Sequence, residues 1–226
     1  MVDRETTFRA SDGAAIPAFV AGPGEGSGAP RIVIAPEIFG LSPWIRDVAR
    51  RLAREGFRAV APDIFARDPL PADASREMLL SRMGRLPVPR AVDDLRAALA
   101  GLEGGPSGVI GFCLGGALSL LTAAEGGLGA CVDCYGRIRL QGAPRQPIDA
   151  APGIPCPVLG IYGRRDAGIP VADAEALRAA LPAGSELALY DAGHAFLNDT
   201  RPDVYAADQA ALAWPKIVGF LRRNLG

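Results

Sequence analysis

Apolar positions follow two alternating rhythms along the chain. The runs Arg31 to Ala35, Phe57 to Ala61, Ser107 to Ile110, Leu128 to Tyr135, Pro157 to Gly163 and Glu186 to Tyr190 are short and nearly continuously apolar, as strands covered on both faces are. Between them the apolar residues recur at helical spacing. Ile45, Val48, Ala49 and Leu52 follow a Ser42-Pro43 start and end at Glu55-Gly56, while Val92, Leu95, Ala98 and Leu99 mark a helix over Arg90 to Leu102. Further helices are expected over Asp73 to Met83, Asp173 to Leu181 and Tyr205 to Leu225, the last with a kink or restart at Pro215. Ahead of all these, Glu5 to Arg9 and Ala14 to Ala21 flank Ser11-Asp12-Gly13 and predict an antiparallel hairpin. Strands alternating with helices predict an α/β fold: a mostly parallel central sheet with helices on both faces and the hairpin at its edge, all in one domain over 1–226.

Two stretches stand outside this rhythm. Pro62 to Pro89 is a long excursion between sheet units and is a candidate cap or substrate loop. Gly136 to Gly153 reads as surface loop that also has the position to rim a site. The glycine-rich Gly22 to Gly28 is not a phosphate-binding loop, because a strand follows it and no helix does.

Composition narrows the partners. With 226 residues, 49% hydrophobic, and 24 Lys+Arg against 25 Asp+Glu, the chain has no basic surplus to draw nucleic acid or an anionic membrane. A small molecule is the expected partner. Met1 to Glu5 lacks signal-peptide order and no apolar run approaches the ~20 residues of a membrane span, so a cytoplasmic protein is expected, monomeric by default. The four cysteines read as reduced thiols. Cys131 and Cys134 have C-x-x-C spacing without a second pair or nearby histidine to make a zinc site, and Cys156, between two prolines, reads as packing.

The chemistry centres on Gly111-Phe112-Cys113-Leu114-Gly115-Gly116, which joins a buried strand to the helix opening at Ala117. This has the form of a nucleophile elbow, G-x-nucleophile-x-G, with cysteine where serine is usual. The amides that start the following helix favour a thiolate and a developing oxyanion. The one histidine, His194, follows the last predicted strand, and Asp166 is the only acidic residue directly after the strand before it. Alone, each has a plainer reading: a glycine-rich turn, a packing histidine, a turn aspartate. Together they give nucleophile, acid and base in the chain order of α/β-hydrolases, each beyond a different strand. The backbone N–H groups of Leu114 and Ile38 are the expected oxyanion donors.

The runs Ile34 to Gly40, Ala61 to Arg67, GFCLGGAL and Ala192 to Phe196 resemble the dienelactone hydrolase (carboxymethylenebutenolidase) family of the α/β-hydrolase fold. The resemblance implies a Cys113–Asp166–His194 triad and a Glu37 that sits beside the thiol and helps deprotonate it when substrate displaces it. It implies no metal and no organic cofactor. A structural carboxylate bonded to loop backbone is the alternative for Glu37. In the family two arginines hold a substrate carboxylate; the first matches Arg76, whereas the second falls on Asn198, with Arg201 nearby in sequence. Arg76 as a solvated helix charge and Tyr135 as a core aromatic stand beside their roles in the pocket, where Phe39 and Asn198 are also expected. The implied activity is hydrolysis of carboxylic ester or lactone bonds through an acyl-enzyme. Its alternatives are a general carboxylesterase or thioesterase, or a non-catalytic thiol-sensing or small-molecule-binding protein on the same scaffold.

Overall fold

The computed structural model describes residues 1–226. Eight strands form one sheet: β1 (Val2–Arg9), β2 (Ala15–Gly22), β3 (Arg31–Ala35), β4 (Arg58–Pro62), β5 (Ser107–Phe112), β6 (Ala130–Cys134), β7 (Val158–Gly163) and β8 (Glu186–Tyr190). Their spatial order is β1-β2-β4-β3-β5-β6-β7-β8. β1 and β2 form the expected hairpin and β2 joins β4 antiparallel; every other pairing is parallel. The central strands β3 to β7 are buried almost throughout, which is why they read as unbroken apolar runs rather than alternating ones.

Helices α1 (Pro43–Arg54), α2 (Arg76–Arg85), α3 (Val88–Ala100), α4 (Leu114–Ala124), α5 (Pro147–Ala150), α6 (Val171–Ala180) and α7 (Ala207–Leu225) make the connections. Right-handed crossovers in opposite directions from β3 put α1 on one face and α3, α4 and α6 on the other. Ser42 caps α1 as expected, its hydroxyl accepting from the Ile45 amide.

Bounds shift by a few residues at several elements, α6 and β6 among them, and four expectations change for a physical reason. α2 begins at Arg76 rather than Asp73, because Ser75 is the cap and its hydroxyl accepts from the Met78 amide. α3 spans Val88–Ala100 instead of 90–102, since Pro87 and Pro89 are tolerated in a first turn that needs no intrahelical donors. The Gly136 to Gly153 stretch is not simple surface loop. Gln146 holds Leu140 and Ala143 by their backbone, α5 and a 3-10 turn over 151–153 follow, and Ile138, Leu140, Ala150 and Ala151 are buried. α7 runs through Pro215 without a restart, its buried stripe of Ala210, Ala213, Ile217, Phe220 and Leu221 outweighing one missing hydrogen bond.

Candidate active site

Residues 37, 113, 135, 166 and 194 all lie just beyond the carboxyl ends of parallel strands, so the sheet itself gathers them at one edge. At the centre, Cys113 joins β5 to α4 with φ 57° and ψ −113°, a conformation that costs a non-glycine residue of order 1–3 kcal/mol. It persists because the surroundings dictate it. The Cys113 amide donates to the Cys134 carbonyl at 3.0 Å, and its own carbonyl accepts from Gly116 at 3.1 Å. A Cβ on Gly111 would stand 1.8 Å from the Gly115 carbonyl oxygen, and one on Gly115 would stand 2.0 Å from that of Ala35. Glycine at both positions is therefore a packing requirement of the turn.

Cys113, Tyr135 and Ala195 are the three non-glycine residues with positive φ. All three border this edge, and strain gathered in one place is a mark of a functional constellation. The turn after β6 is braced from below: Asp133 accepts from the Gly136 amide at 2.9 Å and from the Tyr162 hydroxyl. Burial raises the Asp133 carboxyl to about 6 against those two bonds.

His194 donates from Nδ1 to Asp166 Oδ2 at 2.6 Å, while Asp166 Oδ1 accepts from the Gly168 amide at 2.8 Å. With Nδ1 so engaged, Nε2 is the nitrogen left to face the thiol. Burial pushes the imidazole pKa down, but hydrogen bonds to Asp166 and Cys113 and their charges outweigh it and raise it to about 10. The edge of Tyr135 packs on the imidazole, with ring centroids 5.2 Å apart.

Glu37 is buried, and Asn198 Nδ2 donates to its Oε2 at 2.9 Å. The amide can point only this way, because Asn198 Oδ1 accepts from both the amide and the hydroxyl of Thr200. Glu37 Oε1 has no partner. Burial lifts this carboxyl to about 7, opposed by the Asn198 bond and by the fields of Arg201 and His194. Asn198 was expected at the substrate. In the structure it is buried and donates to Glu37. Tyr135 is likewise fully buried, with its ring against His194 and its hydroxyl without a partner. Phe39 does reach the surface, with the Arg201 guanidinium 5.6 Å over its ring.

The Ile38 amide has no acceptor within the protein. Leu114 opens α4, so its amide lacks an acceptor one turn back. Beside His194 lies an open cavity of about 440 Å³ lined by Arg76, Arg137, Arg165 and Asp166 among others. Arg165 is paired with Asp191, but Arg76 and Arg137 are exposed and form no ion pair. Arg76 lines the cavity that His194 also lines. Arg137 was missed, as was Arg82, whose Nη2 donates to the Ile38 carbonyl at 2.7 Å. Their only sequence signal is the density of arginine in helix α2 and in the stretch after β6.

No helix is long and apolar enough to cross a membrane. Residues 16–225 match the dienelactone hydrolase family. An Escherichia coli K12 relative is 38% identical over 230 residues, covering 92% of this chain and 85% of its own. The carboxymethylenebutenolidase of Rhodococcus opacus is 34% identical over 206 residues, covering 86% of this chain and 81% of its own. A crystal structure from Klebsiella pneumoniae subsp. pneumoniae superposes with a TM-score of 0.88 at 32% identity over 98% of each chain. Sheet order, elbow and full-length similarity agree: the chain belongs to the dienelactone hydrolase family and is a hydrolase on the α/β-hydrolase fold.

Proposed function

We propose that the chain hydrolyses carboxylic ester or lactone bonds through a thioester intermediate on Cys113, with His194 as acid and base, Asp166 as its orienting carboxylate, and residues 1–226 acting as one domain. The observation that carries this reading is the His194–Asp166 bond of 2.6 Å beside a cysteine held in a strained elbow. Cys113 Sγ attacks the carbonyl carbon, and the resulting oxyanion takes hydrogen bonds from the Leu114 and Ile38 amides. Collapse breaks the bond to the leaving oxygen, which receives its proton from His194. His194 then takes a proton from water, whose oxygen attacks the thioester, and Cys113 departs as thiolate.

A thiolate is itself a good leaving group, so acylation wins only when the other group leaves faster. Enol lactones and aryl esters meet that condition better than alkyl esters. Arg76 and Arg137, unpaired beside His194, support a substrate that carries a carboxylate. The relatives' name, carboxymethylenebutenolidase, describes a lactone of that kind. Glu37, with one bare oxygen and a pKa of about 7, is suited to exchange a proton with the thiol as substrate enters.

Comparing wild type with Cys113→Ala and His194→Ala on a dienelactone, an aryl ester and an acyl thioester tests the proposal. Each variant is expected to lose at least about 10³-fold in kcat/KM on the best substrate. Equal activity in wild type and variants would reject it.

A further inference from the structure

Helix α2 sits on the body of the protein through the partly buried Met83 and one buried charge. Arg82 is its one buried residue, 7% exposed, while Met78 and Leu80 face solvent. The Arg82 guanidinium lies 4.0 Å over the ring of Phe65, and its Nε has no hydrogen-bond partner. Asp63 and Asp68 act on it through their fields, without an ion pair. Burying a cation this way is unfavourable, and a leucine would anchor the helix at lower cost. What leucine would lack is the donor to the Ile38 carbonyl at 2.7 Å.

That carbonyl lies on one side of the Ile38 Cα. On the other side, the Glu37 carbonyl accepts from the Gly40 amide at 2.9 Å, in a turn closed by Gly40 at φ 67°. The Ile38 N–H belongs to the same peptide as the Glu37 carbonyl and points the opposite way. Its direction is therefore set by two clamps, one local and one supplied by a helix 44 residues further along the chain.

We infer that Arg82 is a positioning residue for the oxyanion hole, holding the Ile38 carbonyl so that the Ile38 N–H meets the oxyanion and tying that turn to α2. This rests on the thioester reaction proposed above. Arg82 touches no reacting atom. Its loss lowers the rate of steps that pass through an oxyanion and leaves untouched those that do not.

The test uses that distinction. Arg82→Met, Arg82→Lys and, as a control on the same helix, Arg85→Met are measured for kcat and KM on p-nitrophenyl acetate. The rate of Cys113 alkylation by iodoacetamide is measured in parallel; that displacement forms a C–S bond, expels iodide and has no oxyanion. Arg82→Met is expected to lose on the order of 100-fold in kcat with KM and the alkylation rate within about twofold of wild type. Arg82→Lys, which keeps a charged donor, recovers about tenfold of that loss, and Arg85→Met matches wild type. An unchanged kcat in Arg82→Met overturns the inference, as does a parallel fall in turnover and alkylation, which would mark general damage to the site. If the Met variant does not fold, a normal kcat in Arg82→Lys overturns it equally. Turnover that survives Cys113→Ala rejects the thioester reading itself, whereas turnover lost in Cys113→Ala but intact in Arg82→Met rejects this inference alone.

Discussion

The two sides of the candidate site are built on different principles. The elbow between β5 and α4 is placed by hard contacts between backbone atoms, with Gly111 and Gly115 so close to neighbouring carbonyls that no other side chain fits. Helix α2 rests on the body largely through charge: Arg82 is its one buried residue, Met83 is partly buried against the core, and Met78 and Leu80 face solvent. Cys113, the proposed nucleophile, thus stands where backbone contacts leave little room to shift, and Arg76, the proposed substrate contact, on a helix with few apolar contacts. Hard contacts suit a thiol that must meet a carbonyl carbon at one angle. Charge suits recognition of a soluble anion, where reach and field matter more than tenths of an ångström.

The same substitution made on each side should have opposite signs. In Gly115→Ala the new methyl meets backbone atoms of Ala35 and Pro36, so the end of β3 must move together with the turn that carries Glu37 and Ile38. A stability loss above about 3 kcal/mol is expected, beyond the usual range for overpacking, with ester hydrolysis lost at temperatures where the variant remains folded. Gly84→Ala, in α2 with open space around its Cα, should gain up to about 1 kcal/mol from helix propensity and leave activity unchanged. Urea melts of both variants check this, and a neutral Gly115→Ala would remove the basis of the contrast.

Between the two sides, Glu37 differs from Asp166 although both are buried carboxylates. Asp166 has a partner for each oxygen; Glu37 has one bare oxygen and a pKa raised to about 7 from an ordinary value of 4.5. A carboxyl raised on folding destabilises as pH climbs: the unfolded chain releases its proton near 4.5 and the folded chain holds it until about 7. Glu37→Gln keeps the acceptor for Asn198 and removes this titration. It should match wild type in stability at pH 4 and exceed it by about 2–3 kcal/mol at pH 8. Equal gains at both pH values would assign the effect to packing instead.

The fold was legible in the sequence where interactions are local. β3 and β8 have the bounds their apolar runs predict, and the Ser42 cap, the strand-helix-strand crossover and the elbow are each written within a few residues. The order of residues 113, 166 and 194 was readable because parallel strands present their carboxyl ends on one edge. The Asn198–Glu37 bond was not, because it spans 161 residues and depends on the Thr200 contacts that orient the amide. Arg82 and Arg137 were hidden for a related reason. Nothing in a segment rich in arginine marks which guanidinium is buried against a carbonyl and which stands free beside a histidine. Strain at Tyr135 and Ala195 was equally silent, since neither residue type announces positive φ.

The arginine side makes the finest test of the contrast. Arg137 is exposed, so its hold on an anion is screened by water and salt and is worth about as much as one surface charge pair with good geometry. Arg137→Met should therefore raise KM up to about fivefold for an aryl ester bearing a free carboxylate and leave kcat within twofold. For the methyl-capped version of the same ester KM should not change, and raising the salt from low to high should shrink the wild-type advantage on the charged ester alone. A loss of kcat on both esters would mean that Arg137, whose guanidinium lies close to Gly168, acts through Asp166 and belongs with the hard-contact side of the site. A KM effect confined to the charged ester keeps it with Arg76, and with a substrate whose carboxylate is read by reach and charge while the elbow and the Ile38 turn set the rate of bond making.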